Sequence, residues 1–396
     1  MRIAVSISQA SGSRPIVLLS AAAFCVSSCL RITDPMLPLL AHDFRVSAGA
    51  ASLVVSAFTL GYSLSQLAFG PIGDRFGKYR VLSIAMALSA CAIAAGAAAQ
   101  SLHQLAALRL LAGITTAGVL SLALAYVGDV VAYEQRQAVL ARVLSGQLLG
   151  VITGQAVGGI LIAFVNWRLV FLLLGGIFAC VTVLLWIELN SQRVVRSHRS
   201  ESLQPARFVG QYVALLLGRR SRRVLLAIFC EGLLFFGTLA YFAAFLRFRL
   251  ALDYVRIGML LGCFGLGGLG YGLGARWIVP ALGERRMMMI GGVLLFVGLL
   301  LLGWAPVWGA EAPVMAGLGF GLYMVHNTLQ TNATQLAPEA RGAAVSLFNA
   351  CFFFGQAIGA ALIGLAVDRF GYTAVFGVVG VALLALCWWF ARAFTP

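Results

Sequence analysis

The sequence predicts an all-α membrane protein of twelve transmembrane helices, arranged as two six-helix halves with both termini cytoplasmic. Three observations carry that reading. Of 396 residues, 61% are hydrophobic and only 10% charged, and the mean hydropathy is +0.96; no water-soluble domain hides so much apolar surface. Apolar runs of about 20 residues, the length that crosses a bilayer core, recur along the whole chain. The cations follow sidedness. With both ends inside, six of the 28 Lys+Arg fall outside (Arg45, Arg168, Arg247, Arg249, Arg256, Arg369), three lie within spans (Arg31, Arg109, Arg142), and the remainder are cytoplasmic. The net charge of +15 therefore marks topology, and nucleic acid is excluded as a partner.

Taken in order, the spans are expected near 16–40, 48–69, 81–99, 105–131, 138–163, 169–188, 224–246, 255–275, 287–304, 313–335, 343–366 and 372–392. The N-terminal stretch to Pro15 is polar, and the apolar run after it is too long for a signal-peptide core, so it is read as the first span. Connectors are short except 189–223, where Arg193, Arg196, Arg199, Arg207, Arg219, Arg220, Arg222 and Arg223 face a lone Glu201. This basic cytoplasmic linker separates residues 1–188 from 224–396, and it suits anionic lipid at the membrane surface. All eight cysteines lie in apolar segments without metal-ligand spacing, so reduced thiols are expected. Trp304, Trp308, Trp388 and Trp389 fall near span ends and read as interfacial anchors.

The polar stretch Gly70-Pro-Ile-Gly73-Asp74-Arg75-Phe-Gly77-Lys-Tyr-Arg80 is expected to form a turn outside the membrane core, since Gly and Pro interrupt helices and its charges avoid hydrocarbon. A degraded second copy, Gly274 to Arg286, follows the second span of the other half and lacks the acid corresponding to Asp74. Two related six-span halves imply a transporter with its site between them near the midplane. On the fifth span Gly146, Gly150, Gly154 and Gly158 recur every fourth residue, a stripe that lets another helix approach closely; it serves plain packing, the interface between halves, or both.

Ionisable groups inside spans are the sharpest site signal, because each costs about 2.5–3.5 kcal/mol at mid-membrane. Arg31 and Asp34 share a face of the first span, and Arg109 starts the fourth span at a similar depth. They form either a structural ion pair or a protonatable carboxylate whose arginine neighbours hold it charged until they separate. Glu231, in the seventh span, has no cation at helical spacing and is read as a proton carrier or cation binder facing a wet cavity. His326, Asn327 and Gln330 make a polar patch on the tenth span, extended by Asn332 and Gln335, with Gln147, Gln155 and Gln356 as further polar candidates. Phe235, Phe236, Tyr241, Phe242 and Phe352-Phe353-Phe354 either line an apolar pocket or pack in the core.

The order of residues in Gly70–Arg80 resembles the loop signature G-x-x-x-D-R-x-G-x-[RK]-[RK] of the major facilitator superfamily: Gly70, Asp74, Arg75, Gly77 and Arg80 match, and Tyr79 fills a usually basic slot. Arg109-Leu-Leu-Ala-Gly113 resembles the family's R-x-x-x-G motif. Gly150-x-x-x-Gly154-Gln155-Ala-Val-Gly158-Gly159 resembles the motif of antiporter members, with Gln155 where Pro is usual, and Thr33-Asp34-Pro-Met-Leu-Pro38 looks like the twelve-span drug:proton antiporter branch. The resemblance spans nearly the whole chain. It implies a monomeric transporter of the bacterial inner membrane, driven by the proton gradient with no cofactor. It also implies a cytoplasmic lock in which Gly73 lies within the signature, Arg75 meets an acid ending the fourth span, with Asp129 the candidate, and Asp74 approaches the eleventh span.

No Walker loop, metal-ligand spacing or soluble domain is present in the sequence, so an enzyme or ATP-driven pump is excluded. The expected function is proton-coupled efflux of small amphipathic compounds, drugs or sugars. An uptake symporter for a small polar solute is the alternative, favoured by Gln155 and the His326/Asn327/Gln330 patch. A non-transporting membrane sensor is a third reading, opposed by the intramembrane Asp34, Glu231 and His326.

Overall fold

The computed structural model describes residues 14–191, 205–304, 308–337 and 341–393, and every regular element in them is helical. Ten helical segments are long and apolar enough to cross a membrane. The first expected span is not one helix. It divides into α1 (Arg14–Arg31) and α2 (Leu37–Asp43), with a run of turns between them. Pro35 explains the break: it has no N–H to donate and its ring disfavours helix at the residue before it. Next come α3 (Ala48–Ala51), whose N-cap Ser47 accepts the Ala50 N–H at 3.0 Å, and α4 (Leu53–Phe76).

The stretch Gly70–Arg80 departs from expectation. Gly70, Pro71, Gly73, Asp74 and Arg75 are helical, because α4 runs on to Phe76. The chain reverses at the single residue Gly77, whose φ of +93° a side chain would oppose, and α5 (Lys78–Gly96) begins at once. The bundle continues with α6 (Leu102–Val130), α7 (Tyr133–Leu161) and α8 (Trp167–Asn190). Ser101 and Asn166 cap α6 and α8 by accepting the Gln104 and Arg168 N–H groups.

Arg193, Arg196, Arg199 and Glu201 of the expected linker lie outside the described residues. All of 192–204 lies outside them; from residue 205 the segment is helical, with α9 (Pro205–Leu217) and, after Gly218, α10 (Arg219–Glu231). A π turn over Gly232–Phe236 follows, then α11 (Gly237–Leu239) and α12 (Phe242–Leu250). In α13 (Tyr254–Trp304) two helices meet at Gly283, φ +68°. The set ends with α14 (Trp308–Thr334), α15 (Arg341–Phe370) and α16 (Tyr372–Ala393).

The buried core divides with the sequence. One apolar cluster runs from Ile16 to Leu185 and a second chiefly from Leu215 to Ala391. The second also takes in Leu37, Ala41, Ala51 and Val55, all from the ends of α2 to α4 remote from Gly77. Contacts between the halves concentrate toward that same end. Ser63 Oγ donates to the Ala350 carbonyl at 2.8 Å, the Tyr62 and Phe353 rings stand 4.4 Å apart, and Ser52 Oγ donates to the Ala360 carbonyl at 3.1 Å.

The glycine stripe lies inside the first half. Cβ atoms at Gly146 and Gly150 would overlap the Ser20 and Phe24 carbonyls of α1, one at Gly154 would sit 2.6 Å from the Ser28 carbonyl, and one at Gly158 would sit 3.0 Å from the Ile32 side chain. Two helices meeting at backbone distance gain dispersion along about three turns. Ser28 Oγ adds a hydrogen bond to the Gly150 carbonyl at 3.1 Å. Gly159, one residue off the stripe, instead faces the second half, where an added Cβ would sit 2.8 Å from the Gly258 Cα.

In this structure the Gly77 hairpin is held by Lys78, while the Arg75–Asp129 contact was expected of an outward-open lock. Lys78 Nζ lies 2.6 Å from Asp129 Oδ2 at the end of α6 and 3.1 Å from Asp74 Oδ1. Arg75 covers the Phe76 ring at 5.2 Å. The reason is geometric: Arg75 still belongs to α4 and leaves its helix away from α6, whereas Lys78 opens α5 beside both acids. In the second half, Glu284, the residue after Gly283, accepts a hydrogen bond from Asn332 Nδ2 at 2.9 Å near the end of α14. The degraded copy thus keeps the hairpin-to-helix tie with the charge removed from one partner.

Two stability measurements check this packing. Gly150→Ala should lower the thermal midpoint of the purified protein by several degrees, since the Phe24 carbonyl cannot yield cheaply. Gly176→Ala, where nothing lies within 4 Å, should be neutral or stabilising by up to about 1 kcal/mol; equal effects would contradict the account. In a double-mutant cycle of Lys78→Gln and Asp129→Asn, each single change should cost about 1 kcal/mol and the pair little more than either. Additive costs would show that the two residues do not interact.

Candidate functional site

The break after α1 builds the first part of the site. Where the helix stops, the Cys29 carbonyl loses its partner four residues on, and Arg109 of α6 takes its place. Arg109 donates to the Cys29 carbonyl at 3.1 Å and to Thr33 Oγ1 at 3.2 Å, with its guanidinium 4.0 Å over the Phe58 ring. Arg31 and Asp34 pair at 3.5 Å, and both are almost fully buried. Their satisfaction is incomplete: Arg31 Nε, Arg109 Nε and Asp34 Oδ1 have no hydrogen-bond partner. Arg109 therefore serves the broken backbone first and Asp34 only at longer range.

The second part rises from α10. Glu231 is fully buried, and His326 Nδ1 of α14 lies 3.1 Å from its Oε2 while Oε1 has no partner. His326 is the wetter member, with 21% of its side chain exposed. The π turn begins at the next residue, and it decides which aromatic ring shares this face. In an α-helix the neighbour of Glu231 one turn on would be Phe235; the extra residue of a π turn brings round Phe236. Phe236 packs edge-on to His326 at 6.4 Å and to Phe352 at 4.7 Å, and the Arg31 guanidinium sits 4.6 Å over its ring. One ring thus touches Arg31 of the first half and His326 of the second.

Several expected lining residues lie elsewhere. Phe235 is buried among Phe242, Phe264 and Phe236, in the core of the second half. Tyr241 is fully buried and donates to the Ala360 carbonyl at 2.6 Å, far along the helix from Glu231. Asn327 and Gln330 are half-buried on α14, and Asn327 hydrogen-bonds with Tyr271. Gln155 and Gln356 are fully buried; the Gln155 amide lies beside the Asp34 carboxylate, and the Gln356 amide has no hydrogen-bond partner. Sequence reasoning missed Phe236 as the linking ring and Lys78 as the hairpin cation. A signal for the second was present, since Lys78 is the chain's single lysine among 28 cations.

Comparison with known proteins agrees with this architecture. A sequence description of the Major Facilitator Superfamily matches residues 19–348 and 277–396. The transporter YybF of Bacillus subtilis is 24% identical over 378 residues, covering 93% of this chain and 90% of that protein. The inner membrane transport protein YnfM of Escherichia coli is 24% identical over 377 residues, covering 94% and 88%. Among solved structures, a bacterial homologue of the human lysosomal transporter Spinster, inward-facing and unoccupied, superposes with a TM-score of 0.79 at 14% identity over 97% of this chain and 98% of the other. The nucleoside transporter NupG gives 0.75 at 13% identity over 97% and 100%. The all-helical fold, the match along nearly the full chain and the transporters it resembles lead to one conclusion: this chain belongs to the major facilitator superfamily and is a membrane transporter, not an enzyme.

Proposed function

We propose that the protein is a secondary active transporter that works by alternating access and couples proton entry to efflux of small amphipathic compounds. In this reading twelve spans lie in a bacterial inner membrane with both termini cytoplasmic: α13 supplies two spans about Gly283, and α14 supplies one. The observation that carries the proposal is the pair of buried ionisable couples in opposite halves, Arg31–Asp34 and Glu231–His326, meeting at Phe236. Buried charges of this kind hold only while partnered. A proton delivered to Asp34 removes the attraction for Arg31, and one delivered to Glu231 removes that for a charged His326. Each event changes what grips the shared ring between the halves, and that is how protonation would bias their rocking.

The contacts between halves lie toward the end remote from Gly77, which fits a state open at the Gly77 end. With that end cytoplasmic, the state is inward-open, and the similarity to an inward-facing Spinster homologue supports it. Substrate would then meet Phe236, His326 and Phe352, an aromatic surface with one wet imidazole, suited to amphipathic molecules. A second reading, proton-coupled uptake of a polar solute, draws on Gln356, whose unpartnered buried amide offers hydrogen bonds to such a solute, and on Gln155 beside Asp34.

Purified protein in proteoliposomes under an imposed pH gradient tests the proposal. Solute should move against the proton, and Asp34→Asn and Glu231→Gln should each cut gradient-driven flux at least about tenfold, with folded yield retained. Flux that ignores collapse of the gradient would overturn the coupling, and solute moving with the proton would establish uptake.

A further inference from the structure

We infer that Asp368 is a latch closing the bundle at the end opposite Gly77, and that its release is required for that end to open. This rests on the alternating-access reading. The octapeptide that ends α4, Gly70-Pro-Ile-Gly-Asp74-Arg75-Phe76-Gly77, has a counterpart ending α15, Gly364-Leu-Ala-Val-Asp368-Arg369-Phe370-Gly371, with the same G-x-x-x-D-R-F-G pattern. The two are alike in structure. Gly77 and Gly371 have φ of +93° and +78°, and each donates its N–H four residues back at 2.9 Å. Arg75 and Arg369 each cover the following phenylalanine ring, at 5.2 and 5.7 Å.

They differ at the residue after the last glycine. The first copy has Lys78, which engages Asp74 within its own half; the second has Tyr372, which supplies no cation to Asp368. Asp368 instead reaches across to the other half. Its carboxylate accepts from Ser47 Oγ at 2.5 Å and from the Gly49 N–H at 3.2 Å, at the start of the helical segment Ala48–Phe76. There the carboxylate meets free backbone donors and the positive end of the helix. The crossing beneath it is as close as backbones allow: a Cβ at Gly364 would overlap the Tyr241 hydroxyl and lie 2.8 Å from the Gly49 Cα, and one at Gly49 would overlap Asp368 itself. Tyr241 and Ser52 both donate to the Ala360 carbonyl one turn below. Leu37, Ala41, Ala51 and Val55, on the neighbouring stretch of chain, join the other half's core.

Hydrogen–deuterium exchange of the full-length purified protein tests the latch without substrate. Ser47→Ala, at an exposed position, and Asp368→Asn should each speed exchange about threefold in peptides covering 44–56 and 360–372 and slow it around Gly77–Arg80, as the population shifts from one open end to the other. Arg369→Gln, in the same hairpin but outside the contact, should leave both regions unchanged. Unchanged exchange in both latch variants would overturn the inference. So would faster exchange at the Asp368 end with none slowed at Gly77, or an equal shift from Arg369→Gln. A protein showing the opposed shifts yet moving no solute under a pH gradient would overturn the proposed function and leave the latch standing.

Discussion

Ionisable groups placed where little water reaches must be satisfied by the protein itself, and this requirement shapes the centre of the bundle. Arg31, Asp34, Arg109 and Glu231 are all nearly or fully buried. Removing one member of such a pair costs about 3–5 kcal/mol, which obliges the helices carrying them to keep their mutual positions. The broken end of α1 fits the same logic. Its free Cys29 carbonyl would be costly in an apolar setting, and Arg109 satisfies it while lending positive charge near Asp34. A helix break and a buried arginine, each unfavourable alone, become compatible together.

Close packing complements this electrostatic constraint. The glycines of α7 bring its backbone against α1, so the charged end of α1 is fixed to a rigid neighbour. Gly159 and Gly258 make the corresponding approach between the halves. Both hairpins that carry the D-R-F-G pattern turn on one positive-φ glycine, which keeps their acids at fixed helix ends. Halves that each have their own apolar core are what a rocking mechanism requires.

Much of this was legible in the sequence. Apolar run lengths located most of the helices, and i,i+3 spacing paired Arg31 with Asp34, although Asp34 lies in the turns beyond α1. Spacing of four residues announced a close helix contact at Gly146–Gly158 but could not name α1 as its partner, because small residues carry no information about what approaches them. Glu231 and His326 stood out singly; their pairing depends on how α10 and α14 pack, across 95 residues of sequence. The choice of Phe236 over Phe235 was hidden by the π turn, since an α-helical register points to the wrong ring. Arg75 was expected, from the family resemblance, to meet Asp129 in an outward-open lock; here α4 continues through Arg75 and Lys78 pairs with Asp129, a contact that sequence reasoning missed.

The central claim is that Asp34 and Glu231 exchange protons during the cycle. Infrared difference spectroscopy of the purified protein, comparing carboxyl stretches as the pH is lowered, reads this directly. The account predicts two protonated-carboxyl bands, one lost in Asp34→Asn and the other in Glu231→Gln. A spectrum in which neither substitution removes a band, both groups keeping one protonation state throughout, would contradict it.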